Sequence, residues 1–256
     1  MEHAQRARLT RSVEEACLNG WPALREAVFD GWLLRFADGY TRRANSVHLL
    51  SSGTCDPHEK IRSCETAYSA QGLPTIFCVS SMMQSTIGPA LDGRGYGPPE
   101  DETRVLYRSF ADGLPSIGEV ELTERLPGAE WLRTIARLQG QRADAQEIHR
   151  RILESLAVPA VFAAIPVAPG RLGAVAFGAV HDRIVCVNSV ATDPDFRRQG
   201  HAQRVISAIL AWAQDRCGAK GACVPVVAGN APAVALYEGL GFGTEAYRYH
   251  YRRHAL

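Results

Sequence analysis

The chain has 256 residues, is 46% hydrophobic and 21% charged, and carries a formal net charge of +1. That length holds one large domain or two of about 125 residues, and scattered rather than blocked Lys and Arg point away from nucleic acid as a partner. No apolar run reaches the roughly 18 to 20 residues that span a bilayer, and the start lacks the apolar core of a signal peptide, so a cytoplasmic protein with no membrane partner is expected.

The seven cysteines are odd in number and show no CxxC spacing. That pattern fits reduced thiols and predicts no metal site. In chain order, a helix is expected over residues 5–18, stopped by "NGWP". Two β-like runs follow in "GWLLRFADGYTRRANSVHLL", with a hairpin signal at Asp38-Gly39. A helix over 57–70 has Ile61, Cys64 and Tyr68 at helical spacing, and a strand is expected at "PTIFCVSS". After a short polar segment come "ALDGRGYG" and the β-like "RVLYRSF". The glycine spacing of "DGRGYG" hints at nucleotide binding, but no helix is expected after it and the hint is set aside.

Residues 111–118, "ADGLPSIG", read as a linker, which divides the chain into domains 1–115 and 116–256. The second half begins with a strand at "VELTERL" and helices over 129–139 and 143–156. Short consecutive strands at "AVFAAIPV", "LGAVAFGAV" and "RIVCVNSVAT" should pair as an antiparallel meander. The corner "DPDFRRQGHA" leads into a helix over 201–216, with Ala202, Val205, Ile206, Ile209, Leu210 and Ala213 on one stripe. A strand at "ACVPVVA", a helix at "APAVALYEGL" and a last strand at "EAYRYHYRR" complete it.

The halves echo each other. "ANSVHLL" matches "VNSVATD", "FCVSS" matches "ACVPV", and "ALDGRGYG" matches "ALYEGLGFG", all at an offset near 143–145, which points to a duplicated domain. The copies differ at the corner, where the first has "SSGTCDPHEK".

A strand-to-helix corner offers unpaired N–H groups and a partial positive charge to an anion. Gly200 lets backbone approach a ligand, Ala202 keeps the next turn slim, and Arg197 and Arg198 can add charge-assisted bonds to a pyrophosphate, or remain solvated. With this corner between the meander and the later "NAPAVALYEGLGF", the second half resembles the GNAT superfamily of acyl-CoA-dependent N-acetyltransferases. Arg197, Gly200 and Ala202 fill its pyrophosphate motif, and Asn230, Ala233, Leu236, Tyr237, Gly241 and Phe242 fill its later one. The first half resembles a degenerate copy, with Asp92 or Leu91 where the second has Tyr237.

The resemblance implies an α/β (α+β) fold of two GNAT-like mixed-sheet domains in tandem, with mostly antiparallel strands flanked by helices. It implies acetyl transfer from acetyl-CoA to a primary amine of a small molecule, with no metal, by a monomer or homodimer. Alternatives are a non-catalytic acyl-CoA sensor and an acetyltransferase acting on a protein lysine or N-terminus.

By the same resemblance, Val190 and Thr192 contact the cofactor through backbone groups. Arg197, Arg198, Gln199, Gly200, His201 and Ala202 form the pyrophosphate loop, and Tyr237 is the general acid. Asn230 either caps its helix or touches the cofactor. No Asp or Glu falls on "RIVCVNSV", so Asn188 or Ser189 is expected to order a water chain in place of a base. His181 and His201 are weaker candidates for that base.

Overall fold

The computed structural model describes residues 2–111, 113–114 and 118–254; of the expected linker, residues 112 and 115–117 lie outside the described residues. The chain forms two compact units, both discontinuous in sequence. The larger contains Met1–Pro22, Val105–Val226 and Asn230–Ala246; the smaller contains Ala23–Arg104, Val227–Gly229 and Tyr247–Leu256.

In the larger unit lie α1 (Glu2–Asn19), β6 (Glu121–Thr123), α4 (Ala129–Leu138), α5 (Ala143–Glu154), β7 (Ala160–Ala168), β8 (Arg171–His181), β9 (Ile184–Thr192), α6 (His201–Cys217), β10 (Gly221–Val227) and α7 (Ala231–Gly239). The smaller holds β1 (Arg25–Phe29), β2 (Trp32–Phe36), β3 (Val47–Leu49), α2 (Pro57–Ser69), β4 (Ile76–Ser80) and α3 (Gln84–Gly93). Two strands, β5 (Glu100–Ser109) and β11 (Thr244–Arg253), run through the sequence boundaries of the units. Strand order is β5-β10-β9-β8-β7-β6 in the larger unit and β1-β2-β3-β4-β11 in the smaller.

Within each unit the strand pairing is mixed and mostly antiparallel. The expected meander is present: β6, β7, β8 and β9 pair antiparallel in succession, and β9 then pairs parallel with β10. In the smaller unit β3 and β4 form the corresponding parallel pair, Val47 opposite Phe77.

The larger core follows the stripe read from the sequence. Val205, Ile206, Ile209, Leu210 and Ala213 of α6 are buried in one cluster with Val185 and Val187 of β9. Cys186 between them instead meets Cys17 of α1, so strand alternation sets α1 and α6 on opposite faces. Gly178 makes room for α6, since a Cβ there would come within 2.3 Å of Ile209 Cγ2. Each fully buried aliphatic side chain of this kind contributes about 1.5–3 kcal/mol. In the smaller unit Trp32, Ile61, Tyr68, Phe77 and Leu91 belong to a separate cluster.

Two local expectations are corrected. The tight hairpin turn is Asp30-Gly31, joining β1 to β2, with φ of +42° and +81°. Asp38-Gly39 lies in the longer connection between the antiparallel pair β2 and β3. Asn45 organises that connection, accepting from Ala37 N at 2.8 Å and donating to Tyr40 O at 2.8 Å. The segment before "ALDGRGYG" is not merely polar: Gln84–Gly93 is helical despite Gly88 and Pro89.

Buried histidines give the fold a dependence on pH. His149 lies 5.3 Å from the Trp21 ring, and burial holds its pKa down to about 4. His48 in the smaller unit is held down to about 3, by burial and then by the charge of Arg35. Both values fall below the unfolded value near 6.5, so the unfolded chain takes up protons first and stability is lost as pH falls through that window. Half-buried Glu14, pushed up to about 7 mainly by desolvation, works in the opposite sense between pH 7 and 4.5. We therefore expect denaturant unfolding of His149→Gln to show a shallower acid loss than the wild type, by on the order of 3 kcal/mol between pH 7 and 4. Parallel curves for the two proteins would remove His149 from this account.

Candidate active site

The site is built along β9 of the larger unit. This strand pairs with β8 along most of its length, with an irregularity between Phe177 and Val175, where Asn188 and Ala191 are the successive partners. Ser189, within that irregularity, has φ +52°, so the strand bends there as a bulge. Its register with β10 covers only Ile184–Cys186 against Gly221–Cys223. Beyond that point the two parallel strands are no longer in register, and Val190 and Thr192, both half-buried, lie in that stretch of β9.

At the end of β9, Asp193 fixes the turn into the corner. It is buried, accepts from Asp195 N at 3.1 Å, and meets Arg137 at 2.8 Å and Arg171 at 3.2 Å. Burial opposes its ionisation, but the Asp195 hydrogen bond and the two guanidiniums prevail and hold its pKa below the ordinary value. Arg171 also lies over the Phe196 ring, 4.8 Å from its centroid. A single 3-10 turn, Pro194–Phe196, follows. Arg198 and Gly200 then take left-handed φ values of +64° and +77°, and α6 starts at His201 with no side-chain cap on its first turn.

Arg197, Arg198, Gln199 and Gly200 are exposed, and a Cβ at Gly200 would meet nothing within 4 Å. The first-turn N–H groups of α6 thus point toward open space with the helix dipole behind them. Ala202 and His201 are half-buried. The His201 ring is turned toward β8, so that a Cβ at Gly173 would meet it at 3.2 Å, and burial followed by the charge of Arg204 lowers its pKa. His201 is therefore packed with its charged form disfavoured, and the corner's positive character comes from backbone and arginines.

Tyr237 is buried on α7, with its ring 5.9 Å from that of Phe242 in an edge-on arrangement. Burial pushes its phenol up to about 12, and the Cys186 thiol is near enough to contribute. Cys186 is the last β9 residue in register with β10, and Tyr237 belongs to the same buried cluster as Val187 of β9 and Val224 of β10. Asn230 accepts from Ala233 N at 3.2 Å, which makes it the cap of α7. Asn188 is buried and donates to Gly20 O at 3.1 Å and Cys186 O at 3.2 Å, tying the end of α1 to β9. His181, at the β8–β9 turn, lies 3.6 Å from Glu15 of α1.

Sequence reasoning passed over Asp193, Arg137 and Arg171. The one local signal was "TDPDF", an Asp before Pro at a strand end, the chemistry of a turn that caps its own backbone.

The equivalent corner of the smaller unit is closed from within. Thr54 N and Cys55 N donate to the Asp30 carboxylate at 2.9 Å, and Lys60 Nζ meets the same carboxylate at 3.1 Å. Those backbone bonds hold the Asp30 pKa far below the ordinary carboxylate range. A Cβ at Gly53 would approach Asp30 O to 2.2 Å, so no ligand space exists there. Asp92 accepts from Arg252 at 2.6 Å, and Leu91 is in the core. Neither offers a phenol in place of Tyr237.

Mixed sheets flanked by helices, with a parting parallel strand pair beside an open helix start, define an acetyltransferase of the GNAT type. The chain belongs to the family described as "Probable histone acetyltransferase Rv0428c C-terminal", whose model matches residues 9–253. It is 25% identical over 245 residues to the uncharacterized N-acetyltransferase YobR of Bacillus subtilis (strain 168), covering 94% of this chain and 97% of that protein. Among solved structures, a GCN5-related N-acetyltransferase from Kribbella flavida is similar with a TM-score of 0.69 and 18% identity, over 98% of this chain and 96% of that one. A tandem GNAT protein from the clavulanic acid biosynthesis pathway is similar with a TM-score of 0.63 and 11% identity, over 81% and 74%. Among the described residues no helix is long and apolar enough to cross a membrane.

Proposed function

We propose that the protein transfers an acetyl group from acetyl-CoA to a primary amine of a small molecule, using the larger unit alone for the cosubstrate. The observation that carries this reading is the arrangement along β9, with an anion-ready corner at Gly200 and a buried phenol at the parting of β9 and β10. About 20 Å of extended strand separates Cys186 from Thr192, so a pantetheine arm can lie along β9 with its thioester near Tyr237 and its pyrophosphate at α6.

Backbone groups of Val190 and Thr192 pair with the arm. Arg197, Arg198, Gln199 and the N–H groups from Gly200 to Ala202 receive the pyrophosphate, while His201 supports the loop by packing. The amine nitrogen attacks the thioester carbonyl, the C–S bond breaks, and Tyr237 gives its proton to the departing thiolate. The nitrogen's surplus proton leaves to water, and a proton from solvent restores the Tyr237 phenol. Asn188 acts by holding the bulge in position, and Asn230 by capping α7.

A screen of small amines with acetyl-CoA, read by thiol release, tests this reading. Turnover of a small amine is expected; its absence across the panel, with acetyl-CoA still bound, favours the sensor. The family's description supports a second reading, a protein lysine as acceptor. Turnover confined to basic peptides would establish that reading in place of the first.

The closed corner of the smaller unit adds a stoichiometric expectation. Calorimetry should give one acetyl-CoA per chain. Two equal sites would contradict the assignment of Asp30 as an internal substitute for the phosphate.

A further inference from the structure

Three thiols far apart in sequence converge in the larger unit. Cys17 Sγ of α1 lies 3.8 Å from Cys223 Sγ of β10 and 3.9 Å from Cys186 Sγ of β9, and all three sulfurs lie within 4.8 Å of one another. All three residues are buried. Gly20 permits the convergence, since a Cβ there would meet Cys186 Cβ at 3.0 Å and Asn188 Nδ2 at 3.3 Å. Asn188 Nδ2 also stands 3.5 Å from Cys186 Sγ, in position to donate to a thiolate.

We propose that Cys17, Cys186 and Cys223 form a binding site for one thiophilic d10 cation, Cu(I) or Zn(II). Sulfurs at these separations leave a point roughly 2.2–2.5 Å from each, which brackets the metal–thiolate length of about 2.3 Å known for zinc. Soft thiolates select these two ions among the common metals. No His, Asp or Glu joins the three sulfurs among the described residues. Cu(I) is complete with three sulfurs, whereas Zn(II) would draw a fourth donor from water. Binding exchanges three thiol protons for the cation with no change of oxidation state. The Asn188 N–H then offsets part of the excess negative charge, as outer donors do at thiolate sites. The bound ion would join α1 to both parting strands, next to Tyr237.

The test uses the full chain with Cys55→Ser and Cys217→Ser, which removes the exposed and half-buried thiols, reduced and handled without oxygen. Zn(II) and Cu(I) are each titrated against a colour-forming chelator selective for that ion. One equivalent of at least one ion should be retained, with X-ray absorption showing three sulfur neighbours near 2.3 Å. The thermal midpoint should rise with metal concentration. Cys17→Ala, Cys186→Ala and Cys223→Ala should each weaken binding at least a hundredfold, while Cys64→Ala, in the smaller unit, leaves it unchanged. Three sulfurs alone assign Cu(I), and three sulfurs with one nitrogen or oxygen assign Zn(II). If an alanine variant fails to fold, the sulfur count in the parent protein still decides. Failure to hold either ion against the chelator, or a site with fewer than three sulfurs, would overturn the proposal and leave ordinary core thiols. Neither result depends on the acceptor or on acetyl transfer.

Discussion

Tyr237→Phe is expected to lower turnover by about 10² to 10⁴ while acetyl-CoA affinity stays near that of the wild type. The substitution keeps the ring that packs edge-on against Phe242 and deletes only the hydroxyl. With its pKa pushed up to about 12, the phenol holds its proton throughout the neutral range, so the acid is present whenever the ternary complex forms. A phenol so weakly acidic serves only if the departing thiolate is also strongly basic. Burial supplies that condition, because desolvation raises a thiol's pKa for the same reason that it raises the phenol's. A thiolate expelled beside Tyr237 shares the desolvated setting. Loss of kcat with KM nearly unchanged marks an interaction made mainly in the transition state. The comparison requires an amine that the wild type turns over. Full-speed acetylation of that amine by the variant would transfer the role to water.

What was legible in the sequence was local. The stripe on α6, the corner before it and the capping Asn230 each lie within about twenty residues, and each is encoded by spacing that a helix or turn imposes directly. β1 escaped notice because it is exposed along nearly its whole length, with Val28 78% exposed, so it has no apolar alternation to read. The same Asp-Gly dipeptide occurs at 30–31 and at 38–39, and only pairing partners distinguish the hairpin turn from the longer loop. In α3, Gly88 and Pro89 interrupt the helical pattern, and tertiary packing of Ile87 and Leu91 overrides them. Asp193 and its two arginines, and the three thiols, join residues 22 to 206 positions apart. No periodicity carries that information. Asn188 shows the limit from another side: its place on β9 was readable, but its attachment to Gly20 depends on where α1 ends in space.

The duplicated corners explain one another physically. Both begin as a strand leading to a helix, but Asp56 caps the first turn of α2, accepting from His58 N at 2.9 Å, whereas no side chain caps α6. In the smaller unit Asp30 supplies the anion from within, and Lys60, buried and 4.2 Å from the centre of the Trp32 ring, balances its charge. In the larger unit the acid at the end of β9, Asp193, is turned to Arg137 and Arg171, which leaves the donors of α6 for a ligand.

Gly200→Glu imitates the closed corner and is expected to weaken acetyl-CoA binding at least tenfold, about 1.4 kcal/mol. Two effects act together. At φ +77° an L side chain is strained by roughly 1–2 kcal/mol, which the loop relieves by shifting away from the geometry that converges its N–H groups. The added carboxylate also lies at the start of α6, where the dipole favours it, and there it competes with the pyrophosphate and repels it. Gly200→Ala separates the two, since it brings the strain without the charge and should lose less affinity. Higher salt should narrow the gap between the variants, because the corner is exposed and its charges are screened. The fold should persist in both, as a Cβ at this position meets no neighbour within 4 Å. A folded Gly200→Glu protein that binds acetyl-CoA with unaltered affinity would remove this corner from the site.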